Sequence, residues 1–338
     1  MIEFSSQTAI LLVLICSFMW GSWIQTIKRL NGYPLAAYML WVYILSVVVV
    51  WGGIFLLKDL LLSEPVGAQI ARNRGRVALC ALCGALAAIG MQNKMWVVER
   101  LGLILASSLS STFSILVGTF YSILLGGLPQ NSSLWKIILA TLVMLASALV
   151  CQISGIMRDR DRSGAAPRSN KGGLRATFEG RGRVLALAIG NLVFIASAYP
   201  IGVSVAVRTV SNPNGVDSLL GIGIMCLGAV VGTLIFSGVK LIRRGQVNRF
   251  LHPPKRIFAM AAISAVGHYG GNLLNFLASP SLSAAVAWPM SNSFSMWSYS
   301  WGPLYGEYRG ARKATYAVLA LGIALSVLGI VLFSMSIN

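Results

Sequence analysis

A chain of 338 residues that is 56% hydrophobic and only 11% charged, with a mean hydropathy of +0.75, falls outside the soluble class, whose members carry roughly 25% charged residues. Its net charge of +18 does not mark a nucleic-acid binder, because the 27 Lys and Arg are confined to a few connecting segments instead of forming a basic face. Apolar runs of about twenty residues recur with charges only between them, which is the pattern a lipid solvent requires.

Met1 to Gln7 lack the basic region of a signal peptide, and no A-x-A-like cleavage site follows the first apolar run. That run, 8–27, is read as a retained helix. It contains MWGSW, which puts Trp20 and Trp23 on one face at i,i+3 beside Gly21, Ser22 and Gln25. Interface anchoring and cavity lining are both open for these tryptophans. A second helix is expected over 36–57 and a third over 77–97. The third holds Cys80 and Cys83, and because all five cysteines fall in apolar runs, packing is favoured over a disulfide or a zinc site. It also holds Gln92, Asn93 and Lys94, the lysine one turn from the expected end, where it either snorkels to the interface or contacts a substrate.

Helices four and five are expected over 102–126 and 134–156. The serines 107, 108, 110, 111 and 114 read first as a close-packing surface. Next comes 157–183, the one long polar linker, rich in Arg, Gly and Ser. Helices six and seven follow over 184–206 and 218–239, the former interrupted by Pro200 and the latter carrying the small-residue pair Gly228 and Gly232. Helices eight, nine and ten are expected over 257–278, 281–303 and 314–336. The tightest turns fall around Glu99-Arg100 and Pro280. The fold class is therefore all-α integral membrane with ten transmembrane helices, and a multi-pass location in the inner (plasma) membrane is expected.

Taking Lys94 with its nearest loop, only six of the 27 basic residues lie on the side of the 58–76 segment, namely Lys58, Arg72, Arg74, Arg76, Lys136 and Arg208. The positive-inside rule puts the 157–183 linker in the cytoplasm and both termini outside. The linker splits the chain into a first five-helix repeat, 1–156, and a second, 184–338. An odd number of helices per half makes related halves inverted, the architecture of many secondary transporters. At a constant offset of 177, Gly90 falls on Gly267, Ser114 on Ser291, Ala140 on Ala317 and Val150 on Val327. In that register helices three to five overlay helices eight to ten without a gap.

Ionisable groups are costly in a membrane interior, so their inventory is a short list of functional candidates. All nine acids sit at expected helix ends or in loops, which argues against a mid-membrane carboxylate that alternates between protons and cationic drugs. His268, in GHYGGNLLN, lies near the centre of helix eight. It is a candidate for proton coupling or for hydrogen bonding a substrate hydroxyl, with a structural histidine as the alternative. Neutral amides and aromatic rings surround these groups in sequence: Gln25, Gln92, Asn93, Asn272, Asn275, Trp288 and Asn292, with Trp23 from helix one. Amides bond hydroxyls and rings cover apolar faces, which suits a polyhydroxylated solute. Pro289 interrupts helix nine as Pro200 does helix six, and such breaks mark hinges, a midplane site or mere kinks. No GxxxxGK[ST] motif is present, so no nucleotide or other cofactor is implied and transport energy comes from gradients or exchange.

Ten helices, a basic central loop and an inverted five-plus-five repeat resemble the drug/metabolite transporter superfamily with its EamA-like fold. The segment GALAAIGMQNKMWVVERLGLILASSLSSTFSILVGT, Gly84 to Thr119, resembles the corresponding stretch of the L-rhamnose/proton symporter family. The end of the chain, Gly306-Glu307 through Gly310, Arg312 and Lys313, resembles that family and the glucose/ribose porters. MWGSW is similar to sugar-porter and ureide-permease relatives. The resemblance implies uptake of a small neutral solute, commonly a sugar, with protons as a coupling ion. Helices one, two, six and seven depart from the pattern. The expected function is thus a secondary transporter and not an enzyme. Its partners would be a small-molecule substrate, membrane lipid and a coupling proton, with no nucleic acid. Export of metabolites or amphipathic compounds, or a ureide or nucleobase permease, is the alternative.

Overall fold

A computed structural model describes residues 4–101, 103–126, 133–163, 182, 190, 197–208 and 212–337, with the backbone alone for 95–101, 103–111, 126, 163 and 337. Among the described residues the protein is helical throughout, apart from an isolated bridge between Val207 and Val216. Helix α1 (Ser6–Trp23) continues as a 3-10 turn, Ile24–Arg29. It is followed by α2 (Leu35–Leu61), a short α3 (Val66–Arg72), α4 (Arg74–Leu101), α5 (Leu103–Gly126) and α6 (Leu134–Ser163). The second part holds α7 (197–206), α8 (Ser218–Arg243), a short α9 (Val247–Leu251) and α10 (Lys255–Ala265). A π turn over Val266–Gly270 leads into α11 (Gly271–Leu282), and α12 (Ala284–Ser291), α13 (Phe294–Leu304) and α14 (Lys313–Ile337) complete the order.

Among the described residues, seven stretches are long and apolar enough to cross a membrane: Ser6–Arg29, Leu35–Leu61, Arg74–Lys94, Leu134–Arg162, Ser218–Arg243, Lys255–Leu282 and Lys313–Ser336. A shorter apolar helix spans Thr112–Leu125. Of the expected helix six, only the last part lies within the described residues. Val48, Phe55 and Leu56 on α2 and Val231 and Ile235 on α8 are exposed, large apolar side chains of the kind that face lipid.

One expected turn is displaced. The chain does not reverse at Pro280: α11 runs through it to Leu282, and the reversal comes at Ser283, whose φ of 62° is left-handed. A proline costs one backbone donor, which a helix buried among neighbours absorbs, whereas a left-handed residue redirects the chain. The boundary expected around Glu99-Arg100 falls close by, with α4 ending at Leu101 and α5 beginning at Leu103. Helix nine is broken into α12 and α13 just past Pro289, where Ser293 N bonds Met290 O at 3.1 Å in a tightened turn.

Small residues set the packing. On α8, Gly228 and Gly232 lie against the backbone of Ala81 and Ala85 of α4, and Gly84 of α4 lies against Met225. Cys80 Sγ reaches Gly221 O at 3.5 Å, so the two helices advance together in the same sense. In contrast, α6 and α14 run antiparallel: Met144 meets Gly329, Ser147 bonds Ser326 and Cys151 meets Gly322. The α1–α11 pair is also antiparallel, with Gly267 under Trp23, Gly270 under Met19 and Gly271 under Trp20.

Polar clusters occupy both ends of the bundle. The 27 residues of α2, about 40 Å at 1.5 Å per residue, separate Lys28 from Ser63. At the Lys28 end, Glu307 pairs with Lys28 Nζ at 2.6 Å and with Arg158 Nη1 at 3.0 Å. There Asp161 also accepts from Arg312 N (2.9 Å) and Thr315 Oγ1 (2.6 Å). At the Ser63 end, the buried Asp217 collects Ser63, Gln69 and Arg208.

Candidate functional site

Between the two clusters lies a cleft with a cavity volume of about 120 Å³, smaller than the roughly 300–1,000 Å³ typical of small-molecule sites. Its walls come from α1, α2, α4, α5, α7, α8, the π turn, α11, α12 and α13. The site stands at mid-span: His268 is at the midpoint of Lys255–Leu282.

Aromatic rings form the frame. Trp20 meets Trp288 edge-on at 6.0 Å between centroids and Tyr199 at 6.0 Å, while Tyr199 and Trp288 lie 4.8 Å apart. Phe294 closes the box 6.4 Å from Trp20. Hydrogen bonds fix the indoles, since an indole N–H buried away from water needs an acceptor. Trp20 Nε1 donates to His268 O at 3.2 Å, and Trp288 Nε1 donates to Ser114 O at 2.7 Å. The second bond needs α5 and α12 in near contact, and Gly118 permits it: a Cβ there would sit 1.9 Å from Trp288 Nε1.

Polar groups converge on this frame. His268 sits in the π turn, where an i to i+5 backbone widens the helix and re-aims the side chain. Its ring packs on Trp23 (4.7 Å), Tyr269 (5.0 Å) and Tyr43 (5.7 Å), and its buried Nδ1 has no partner among the described residues. Asn272 lies one turn further on. Asn292 donates to Trp288 O at 2.8 Å, and its carbonyl oxygen takes no hydrogen bond among the described residues. Lys94 is 6% exposed and turns inward to the cleft with Nζ 5.5 Å from the Phe294 ring centroid. The snorkelling alternative is thereby displaced, because α4 continues for seven residues beyond it.

Of the residues singled out from sequence, the structure brings Trp23, Lys94, His268, Asn272, Trp288 and Asn292 to the lining of this one cleft. Asn275 lies outside it, buried and donating to Ser291 Oγ and Ala287 O, where it ties α11 to α12. Gln25 spans α1 and α13 by donating to Ser298 O at 3.4 Å. Gln92 is buried on α4 off the cleft, its Nε2 without a partner among the described residues, and Asn93 is also outside the lining. The serines at 107, 108, 110 and 111 have side chains outside the described set, whereas Ser114 lines the cleft. Sequence reasoning missed Tyr43, Tyr199, Met225 and Phe294. The only available signal was Tyr199 preceding Pro200, which does not interrupt the helix as expected because α7 runs through it; an aromatic in an apolar run looks the same whether it faces lipid or a cavity.

No family model and no curated protein matches the chain. Nine chains of solved structures match it. One, described only as a crystal structure of a protein, aligns over 96% of both chains with a TM-score of 0.60 at 12% identity. The likeness covers nearly the whole chain and concerns fold alone.

Proposed function

We propose that this chain is a secondary transporter of a small polar solute of the sugar or sugar-like class, working by alternating access around the central cleft. The observation that carries the reading is the cleft itself: an aromatic box at mid-span with inward-facing polar groups whose hydrogen-bonding capacity is left open. Of these groups the His268 Nδ1 is buried with no partner among the described residues, which leaves it open to a ligand. The two polar clusters, each tying several helices together, are suited to gates on opposite sides.

The proposal includes ten spans in two inverted halves, and the helix pairing supports it. Exchanging the halves turns the α4–α8 contact into the contact of α2 with the helix carrying His268, which is also made. It maps the α6–α14, α5–α12 and α2–α8 contacts onto themselves. An axis relating residues 177 apart would pass between Ala148 and Leu325, close to the middle of both Leu134–Arg162 and Lys313–Ser336. The resemblance to the drug/metabolite transporters and the basic 157–183 linker accord with this arrangement. They also support placing the linker in the cytoplasm and the termini outside the inner membrane. Lys94 shares the cleft with His268 and its ammonium opposes a second positive charge there, so the histidine serves this scheme as a hydrogen-bonding group and not as the proton carrier.

A ligand that binds only the folded protein raises its stability by mass action, so thermal unfolding of the detergent-purified chain against sugars, nucleobases, ureides and amino acids tests the reading. Stabilisation by one sugar class is expected, with His268→Ala and Asn272→Ala each weakening that ligand at least about tenfold, the loss of roughly one charge-independent hydrogen bond. Stabilisation only by nitrogenous or amphipathic compounds would instead favour the permease or exporter reading, to which the predominance of aromatic wall gives some support. Unchanged binding in both variants would rule this cleft out as the site.

A further inference from the structure

We propose that the transported solute is an organic monoanion of the sugar-acid type, with Lys94 Nζ as its counter-charge; this rests on the transporter reading above. The lysine is 6% exposed and faces the cleft, and among the described residues it has no hydrogen bond and no ion pair, only the Phe294 ring at 5.5 Å. The elements facing it contribute Trp20, Trp23, Tyr43, Met225, His268, Asn272, Trp288 and Asn292, of which none is acidic. The acids with described side chains that form ion pairs are spent at the two ends of the bundle: Glu64 and Asp217 at one, Asp159, Asp161 and Glu307 at the other.

An ammonium held in a low-dielectric interior with no partner is costly. Proteins retain such a group where a ligand supplies the missing charge. One cation calls for one negative charge on the solute. It also repels amines, so the aromatic box is not a cage for a cationic ligand. The remaining wall groups define the rest of the molecule. The Asn272 amide, the Asn292 carbonyl oxygen and His268 Nδ1 are hydrogen-bonding groups for hydroxyls, and the rings of Trp20, Tyr199 and Trp288 cover C–H faces. A carboxylate on a polyhydroxylated body satisfies all of these at once.

The test uses the full chain in detergent with four probes: D-glucuronate, D-gluconate, D-glucose and D-glucosamine. The acids should stabilise the wild-type protein and Lys94→Arg. Glucose should stabilise less at equal concentration, and glucosamine not at all. Lys94→Gln should bind the acids at least tenfold more weakly while melting, unliganded, at the wild-type temperature or above, because it removes an unpaired buried charge. That second readout separates lost recognition from lost folding. Equal stabilisation by glucose and the acids, unchanged acid binding in Lys94→Gln, or no stabilisation by either acid would overturn the proposal. Glucose binding accompanied by glucose counterflow in proteoliposomes overturns the anion assignment and leaves transport standing. Acid binding that depends on Lys94 but gives no counterflow does the reverse.

Discussion

Replacing Asp217 by alanine is expected to lower the stability of the protein by about 3 kcal/mol, the low end for a buried charge pair that loses one partner. Asp217 is 5% exposed at the start of α8, yet its carboxylate does not cap its own helix. It accepts instead from Ser63 N at 2.6 Å, from Ser63 Oγ at 2.9 Å and from Gln69 Nε2 at 2.8 Å, with Arg208 Nη1 3.5 Å away. Its own N–H donates to Gln69 Oε1 at 2.9 Å. One side chain thus binds the end of α2, the short α3, the segment after α7 and the start of α8. Its negative charge also sits at the positive end of the α8 dipole. Asp217→Asn keeps an acceptor for Ser63 and should cost less. Arg208→Ala should cost a comparable amount to Asp217→Ala, because it leaves the more buried carboxylate without its counter-charge although Ser63 and Gln69 still bond it. Thermal unfolding in detergent ranks the three, and an Asp217→Ala variant that melts with the wild type would show that this cluster holds nothing together.

A methyl group at Gly228 is expected to be among the most damaging single-carbon changes available. Its Cβ would lie 1.8 Å from the Ala81 carbonyl oxygen, and a Cβ at Gly232 would lie 2.5 Å from that of Ala85. Both obstacles are backbone, so α4 and α8 must separate. Apolar driving force between helices is absent in lipid, and close van der Waals packing is what holds them. Overpacking of this kind costs about 3 kcal/mol or more. Gly238, on the same helix, provides the control, because a Cβ there would meet no atom within 4 Å. At that position alanine should be neutral or stabilising by up to about 1 kcal/mol, the helix preference of alanine over glycine. Monodisperse yield and melting temperature read both. Gly228→Ala behaving as Gly238→Ala does would contradict the α4–α8 contact.

Much of the fold is legible in the sequence because a spanning helix must satisfy its backbone internally and face lipid, and both demands are written as long apolar runs. The Gly228–Gly232 pair reads as a packing face, and it is one. Boundaries are less legible where the deciding residue carries no composition signal: Pro280 looks like a turn, and left-handed Ser283 makes it. In the site, His268 and Lys94 stand out because charge-bearing side chains are rare in such runs, and both face the cleft. The amides divide: Asn272 and Asn292 line it, whereas Asn275 and Gln25 join helices. Nothing in the pattern separates those roles, since a buried amide is equally at home in either. The π turn is illegible for a similar reason, because VGHYG carries no mark that distinguishes an i to i+5 backbone from an ordinary helical turn.

Cysteine accessibility at the cleft tests alternating access whatever the solute proves to be. The five native cysteines are buried, so a single Ser114→Cys replacement, nearly equal in size, introduces a distinguishable thiol on the cleft wall. A membrane-impermeant thiol reagent applied separately to right-side-out and inverted vesicles is expected to label this variant from both faces and to leave the wild-type chain largely unlabelled. Labelling from one face only, or from neither, would contradict a cleft that opens alternately to the two sides of the membrane.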